Sequence, residues 1–160
     1  MVKETMYRLL FELTKNSKRS DREISKTLHV SQPTITRMRK QLEKTGFIQE
    51  YTVIPNLAKI NLEIVALTFM NVRREHETYA PCLKWVEENP NVLVAAGGDG
   101  LNRNCMMVSV HENYTHFSEF MAEFRSKWGA HVSDIGSFLV SVKGTLPKRF
   151  SFKSLERIKR

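Results

Sequence analysis

Cysteine is almost absent: Cys82 and Cys105 are the only two in 160 residues, with no CxxC pair and no Cys/His cluster. That argues against a disulfide framework and a zinc site, and both thiols are expected to be buried apolar fillers. No apolar run approaches the roughly 20 residues needed to span a bilayer. The stretch from Met1 to Lys15 has no small-residue cleavage site of the kind that ends a signal peptide, so the chain is expected to stay in the cytoplasm. Catalytic constellations are missing as well: no nucleophile with its base, no carboxylate pair, no phosphate loop and no set of metal ligands stands out. Gly97-Gly98-Asp99-Gly100 follows a strand, but it is not GxGxxG and opens no helix, which argues against nucleotide binding. His111, His116 and His131 fall at a strand end, a helix start and a loop, the usual places of surface or capping histidines. The expectation is a protein that is not an enzyme and holds neither cofactor nor metal.

What is present in excess is positive charge, 25 Lys and Arg against 17 Asp and Glu, a net +8. Such a surplus favours a polyanionic partner, either nucleic acid or an anionic membrane surface. Its placement is more informative than its sum. Met1 to Pro55 carries 11 basic and 6 acidic residues (+5), Asn56 to Leu146 carries 8 and 10 (−2), and Pro147 to Arg160 carries 6 and 1 (+5). Basic ends flanking a mildly acidic middle are the pattern of a nucleic-acid-binding module joined to a module with another task. At this length, with 41% hydrophobic residues, the chain can bury a core in one domain or two small ones.

In the first segment Met6, Leu9, Leu10 and Leu13 recur at the spacing of one helix face. Ser20-Asp21-Arg22-Glu23 is a capping box that opens a short second helix with Ile24 and Leu28 inward, ending near His29. Val30 is an apolar turn residue. Ser31 then caps a third helix with Pro33 in its first turn, where a missing N–H costs nothing, and Gly46 closes it after Thr45. On that helix Ile35, Met38 and Leu42 point inward. Steps of 100° place Pro33, Thr36, Arg37, Lys40 and Lys44 on the opposite face, which is basic and almost free of acid. A short turn holding such a helix against its predecessor is the geometry that brings N-terminal side chains to base edges in the major groove. The candidate DNA-contacting residues are therefore Ser31, Gln32, Pro33, Thr34, Thr36, Arg37, Lys40 and Lys44, and the expected partner is double-stranded DNA.

The segment from Ser31 to Ile48, SQPTITRMRKQLEKTGFI, resembles the recognition helix and following strand of winged helix-turn-helix regulators. Its continuation GFIQEYTVIP, then LAKINLEIVALTFMNV to Val72, resembles the Lrp/AsnC family of transcription regulators. That resemblance implies a wing strand leading through a linker into a ligand-responsive α/β domain. It extends over about Met1 to Thr145, strongest from Gly46 to Val72.

The remaining chain yields the same order from its own pattern. Leu62 to Val72 reads as a buried strand, Glu75 to Glu88 as a helix stopped at Asn89-Pro90, and Val92 to Ala96 as a second strand. Gly97 to Gly100 reads as the turn of a hairpin into a third strand, Cys105 to His111. A helix after Asn113 has the stripe Phe117, Phe120, Met121 and Phe124, ends at Gly129, and is followed by a last strand, Val132 to Val142. The fold class is α+β: residues 1–55 a winged helix-turn-helix, residues 56–146 a ferredoxin-like βαββαβ domain for assembly and effector binding, and residues 147–160 a basic tail.

In the Lrp/AsnC family effector amino acids bind between subunits beside the turn linking strands two and three, where a glycine is followed three residues later by an aspartate. Here Gly97 and Gly98 fit the glycine, but Gly100 and Leu101 stand at the aspartate position. An amino-acid ammonium needs a carboxylate partner, and Asp99 supplies one only in a rearranged turn. Arg103 offers a fork suited to an anion. The candidate effector residues are accordingly Gly97, Gly98, Asp99 and Arg103, and the effector, if there is one, is expected to be anionic. The turn is alternatively a plain structural hairpin. The tail reads as a solvated terminus, with Ser154 to Ile158 able to start a short helix. A lone reading head is generally insufficient, so a homodimer is expected, extending to an octamer as one alternative, through contact between sheet faces. A second reading keeps the same fold as a small-molecule-binding or enzymatic protein resembling tetrapyrrole decarboxylases, without DNA binding.

Overall fold

The computed structural model describes residues 2–75 and 77–158, with side chains from residue 4, and divides into two compact units. One runs to Ile54 and resumes at Lys148; the other is Pro55–Pro147.

Three helices build the first unit: α1 (Val2–Lys15), α2 (Asp21–Leu28) and α3 (Gln32–Lys44). Leu9, Ile24, Ile35 and Leu42 are at most 1% exposed and meet Leu13, Leu28 and Met38 in one core. The apolar spacing of the three helices thus converges on a single buried stripe, each large side chain contributing about 1.5–3 kcal/mol of hydrophobic stabilisation. The capping box is formed in both directions, Glu23 N–H donating to Ser20 Oγ at 3.2 Å and Ser20 N–H to Glu23 Oε2 at 2.7 Å. α2 stops where His29 turns left-handed, φ 56°. Ser31 occupies the N-cap of α3, but its hydroxyl bonds the Thr34 hydroxyl at 2.8 Å rather than a backbone N–H. α3 ends at Thr45 and Gly46, whose φ of 74° is a conformation glycine adopts without cost.

The wing strand expected after α3 is not formed: residues 47–56 contain no strand. A strand needs a partner for its backbone groups, and the first unit has no other strand among its described residues. Instead Ile48 folds back on the helical core, its N–H bonded to the Leu42 carbonyl at 3.1 Å, and Phe47 meets Tyr7 edge-on at 5.8 Å.

The basic tail is likewise no free extension. Leu155–Arg157 forms a single helical turn against α1, and Glu156 pairs with Lys15 at 2.8 Å. The tail's one acid finds a cation on α1, and Leu155 is half-buried. Lys159 and Arg160 lie outside the described residues.

The second unit is a four-stranded antiparallel sheet in the order β2-β3-β1-β4, from β1 (Ile64–Val72), α4 (Tyr79–Glu88), β2 (Val92–Gly100), β3 (Arg103–His111), α5 (Tyr114–Trp128) and β4 (Val132–Ser141). This is the βαββαβ order read from the sequence. Both helices cover one face, where Ala66, Met70, Met107, Phe117, Phe120, Met121, Phe124 and Val132 form the core. On the other face the register aligns Leu67 with Val108 on one side and Phe138 on the other, and Val65 with Val110 and Val140. α4 and α5 pack on the opposite face, and on this one Val110 is buried at one end while Phe138 is 67% exposed.

Two boundaries shift by four residues. α4 begins at Tyr79 rather than Glu75, because residues 73–75 and 77–78 lie in the turn region that leaves β1. The hairpin turn is not at Gly97–Gly100, which belong to β2, but at Leu101-Asn102, with φ of 54° and 53°. Two successive left-handed residues match the right-handed twist of the strands they join, and here that geometry is met without glycine. The histidines also differ from expectation. His111 and His131 are fully buried, and His111 and His116 are neighbours with ring centroids 5.3 Å apart. Cys82 is buried as expected, whereas Cys105 is half-buried.

Candidate nucleic-acid interface

The outer face of α3 carries Gln32, Pro33, Thr36, Arg37 and Lys40 around an open concavity of about 630 Å³. Arg37, Lys40 and Lys44 are exposed, and none forms an ion pair with a described residue. Of the eight residues singled out on the sequence, Gln32, Pro33, Arg37 and Lys40 come together on this concavity with exposed side chains. Lys44 lies one turn further along. Ser31 and Thr34 pair their hydroxyls at the helix start. Thr36 lines the concavity, yet its hydroxyl is engaged elsewhere, donating to Asp21 Oδ2 at 2.6 Å.

That bond belongs to a clamp the sequence reading missed. Asp21, the first residue of α2, also accepts from Arg39 Nε at 2.8 Å and Nη2 at 2.7 Å, so one carboxylate ties α2 to two successive turns of α3. Burial raises the Asp21 carboxyl, but the Thr36 hydroxyl and the Arg39 guanidinium outweigh it and hold the group below its ordinary value. The clamp is thus complete above the ordinary carboxylate range and releases only in stronger acid. Arg39 also meets the Tyr51 hydroxyl, which in turn donates to Glu43 Oε1 at 2.9 Å, so the segment after α3 is held against the helix. A carboxylate in the first turn of α2 and a cation 18 residues later on the flank of α3 were the available signal; the inward-outward division of α3 left Arg39 unassigned. Asp21→Asn is expected to cost about 2 kcal/mol, since it strands a guanidinium only 18% exposed beside a neutral amide. Urea unfolding at neutral pH measures it, and a loss below about 0.5 kcal/mol, the range of surface substitutions, contradicts the clamp.

The four residues proposed for an effector are not gathered into a site. Gly98 and Asp99 lie exposed along β2. Arg103 spends its guanidinium on backbone carbonyls, donating to Asp134 O and, at 3.0 Å, to Asn102 O. Its fork therefore braces the hairpin against β4 rather than facing a ligand. Gly97 alone faces a cavity, and there the neighbouring cation is Arg74.

Residues 3–49 match the family model described as winged helix-turn-helix DNA-binding. A curated relative is the HTH-type transcriptional regulator LrpC of Bacillus subtilis (strain 168), 27% identical over 84 residues, which are 52% of this chain and 57% of the relative. The match thus takes in little more than half the length of that regulator. Among solved structures, the transcriptional regulator NMB0573 of Neisseria meningitidis in complex with L-Met superposes with a TM-score of 0.81 at 20% identity, covering 93% of each chain. An AsnC family transcriptional regulator from Agrobacterium tumefaciens gives 0.79 at 15% identity over 92% of this chain and 93% of its own. B. subtilis LrpC gives 0.70 at 21% over 85% and 91%. The chain has the two-part α+β fold of the Lrp/AsnC-type regulators, with a helix-turn-helix in its first unit.

Proposed function

We propose that this protein is a sequence-specific DNA-binding transcription regulator of the Lrp/AsnC type, acting in the cytoplasm as a homodimer or a higher assembly of dimers. The observation that carries the reading is the exposed, unpaired basic face of α3 on a segment that matches a DNA-binding family. Cations without internal partners are available to displace counterions from phosphates, and a clamped helix presents Gln32 and Arg37 at fixed positions to base edges. B. subtilis LrpC and the N. meningitidis and A. tumefaciens proteins are named as transcription regulators. No described helix is long and apolar enough to cross a membrane.

Arg37 and Lys44 are assigned different tasks. Arg37→Ala is expected to weaken specific binding by about 1–3 kcal/mol and to relax preference at one base pair. Lys44→Ala is expected to weaken all sequences alike and to reduce the salt slope by about one unit. Band shifts across a salt series, with specific and random duplexes, separate the two. If neither substitution alters binding to any duplex, α3 is not the reading helix.

The uncovered sheet face supports the homodimer. Leu67, Phe69, Val108, Phe138 and Val140 form a contiguous apolar surface, and a second copy of the same face is self-complementary about a two-fold axis. Two reading heads related in this way suit two half-sites on one duplex.

A further inference from the structure

We propose that the second unit contains a small-molecule site of its own: a cavity between α4 and the helix-covered face of the sheet that takes a monocarboxylate with an apolar body and no ammonium group, with Arg74 as the carboxylate's partner. The cavity measures about 270 Å³ and its interior is apolar, walled by Met70, Cys82, Val86, Met107, Phe124 and Val132. A dry cavity of about 150 Å³ accepts benzene, so this one has room for a single ring or a six-carbon chain with an acid group attached.

The polar element is fixed at one side. Arg74 lines the cavity, its guanidinium lying over Gly97, where a Cβ would come within 2.6 Å of Nη2. Arg74 makes no ion pair with a described residue. Its position is set by its neighbours. The β1–β3 ladder ends at Met70 and Cys105, and beyond it the Asn104 side chain imitates a further backbone pair, accepting from Val72 N–H at 2.8 Å and donating to Val72 O at 3.0 Å. Arg73 is tied by its N–H to His131 O at 2.9 Å and by its guanidinium to Ala130 O. With residues 72 and 73 pinned, the backbone places the exposed Arg74 at the rim of the cavity.

The lining also excludes a class. It contains neither Asp nor Glu, so an ammonium on the carbon next to the carboxylate would stand beside the Arg74 guanidinium with no acidic partner. Amino acids are therefore rejected and their deaminated counterparts accepted. The site involves neither Arg103 nor the far end of the hairpin, and it stands whether or not the chain binds DNA.

Hexanoate and 3-phenylpropanoate, titrated calorimetrically into the full-length protein without DNA, test it against norleucine and phenylalanine, which differ by the ammonium alone. Saturable binding of at least one carboxylate is expected, with its amino counterpart weaker by about tenfold or more, and Arg74→Met is expected to lose about tenfold or more. Arg74→Lys should recover part of that loss, and Arg103→Met should bind as the native protein does. Because Cys82 and Cys105 both line the cavity, bound ligand should also slow their alkylation. The proposal is overturned if neither carboxylate binds, if norleucine binds as tightly as hexanoate, or if Arg74→Met keeps the native affinity while its circular dichroism is unchanged. A failure of DNA binding leaves these titrations unaffected, so the two readings fail separately.

Discussion

Leu67→Glu should turn the protein into a folded monomer that has lost specific DNA binding. Leu67 sits at the middle of the uncovered sheet face, with Val108 beside it on β3 and Phe138 on β4. In the dimer proposed above that position is at the centre of a dry contact. A carboxylate there must be desolvated without a partner, at a cost of several kcal/mol, which weakens association by about a thousandfold or more. The substitution leaves the fold intact because the core of the unit lies on the opposite face, built from Ala66, Met70 and Met107 together with α4 and α5. Sedimentation at low micromolar concentration should give a dimer or larger for the native chain and the monomer mass for the variant, with unchanged far-ultraviolet circular dichroism. Binding to a two-half-site duplex should fall with the dimer, while weak binding to random DNA persists. A native chain that sediments as a monomer, or a variant that remains dimeric, rules out the sheet face as the interface.

Acid should destabilise the second unit through His111. Its ring is fully buried between Phe117 and Phe120, Nε2 lies 2.8 Å from Ser109 Oγ, and Nδ1 has no hydrogen-bond partner among the described residues. Burial, followed by the neighbouring His116, lowers its pKa from 6.5 to about 4. The folded state therefore resists protonation that the unfolded chain accepts. Above pH 6.5 both states hold a neutral ring and the group makes no difference. As pH falls from 6.5 towards 4 the unfolded state takes up a proton first, and stability declines by about 3 kcal/mol at about 1.36 kcal/mol per unit. Below pH 4 the folded ring also protonates and this contribution levels off. His111→Phe should remove that part of the acid loss, so the gap in unfolding free energy between native and variant proteins should change by about 3 kcal/mol between pH 7 and pH 4. A gap independent of pH would show that His111 is not the group responsible.

Both residues illustrate what was legible in the sequence. The apolar run from Leu62 to Val72 locates a strand with more apolar face than two helices cover, so the apolar surface around Leu67 could be anticipated. The capping box at Ser20, the inward stripe of α3 and the βαββαβ order are local patterns with periods of 3.6 or 2, and the structure contains them. His111 was misread because a strand-end histidine carries no local sign of burial; α5 covers it from several residues further on. The hairpin turn was misplaced for a similar reason. Gly97-Gly98-Asp99-Gly100 is a turn signal in isolation, but pairing of Gly97 with Cys105 and of Gly100 with Arg103 extends the strand across an irregularity and leaves Leu101-Asn102 to make the reversal. On α3 the periodicity separated Arg37, Lys40 and Lys44 from the core, yet it could not reveal that Asp21 withdraws Arg39 and the Thr36 hydroxyl from the outer face. The wing was expected from resemblance rather than from the residues, and the first unit has no strand among its described residues to pair with it. Arg74 went unnoticed because its role depends on a glycine 23 positions away and on an asparagine imitating the backbone.

The return of residues 148–158 to α1 makes the first unit discontinuous along the chain, with the whole of the second unit inserted between its parts. Its assembly is consequently not a purely N-terminal event during synthesis. The three helices can collapse as soon as they emerge, but the piece that caps α1 is translated only after the sheet. Closing so long a loop is thermodynamically mild, because each doubling of length adds only about 0.6 kcal/mol. Its effect is on timing, since sequence-distant contacts form late and slow the final step. A nascent or truncated chain ending before Lys148 would therefore have a reading head whose α1 lacks the ion pair to Glu156 and the cover of Leu155.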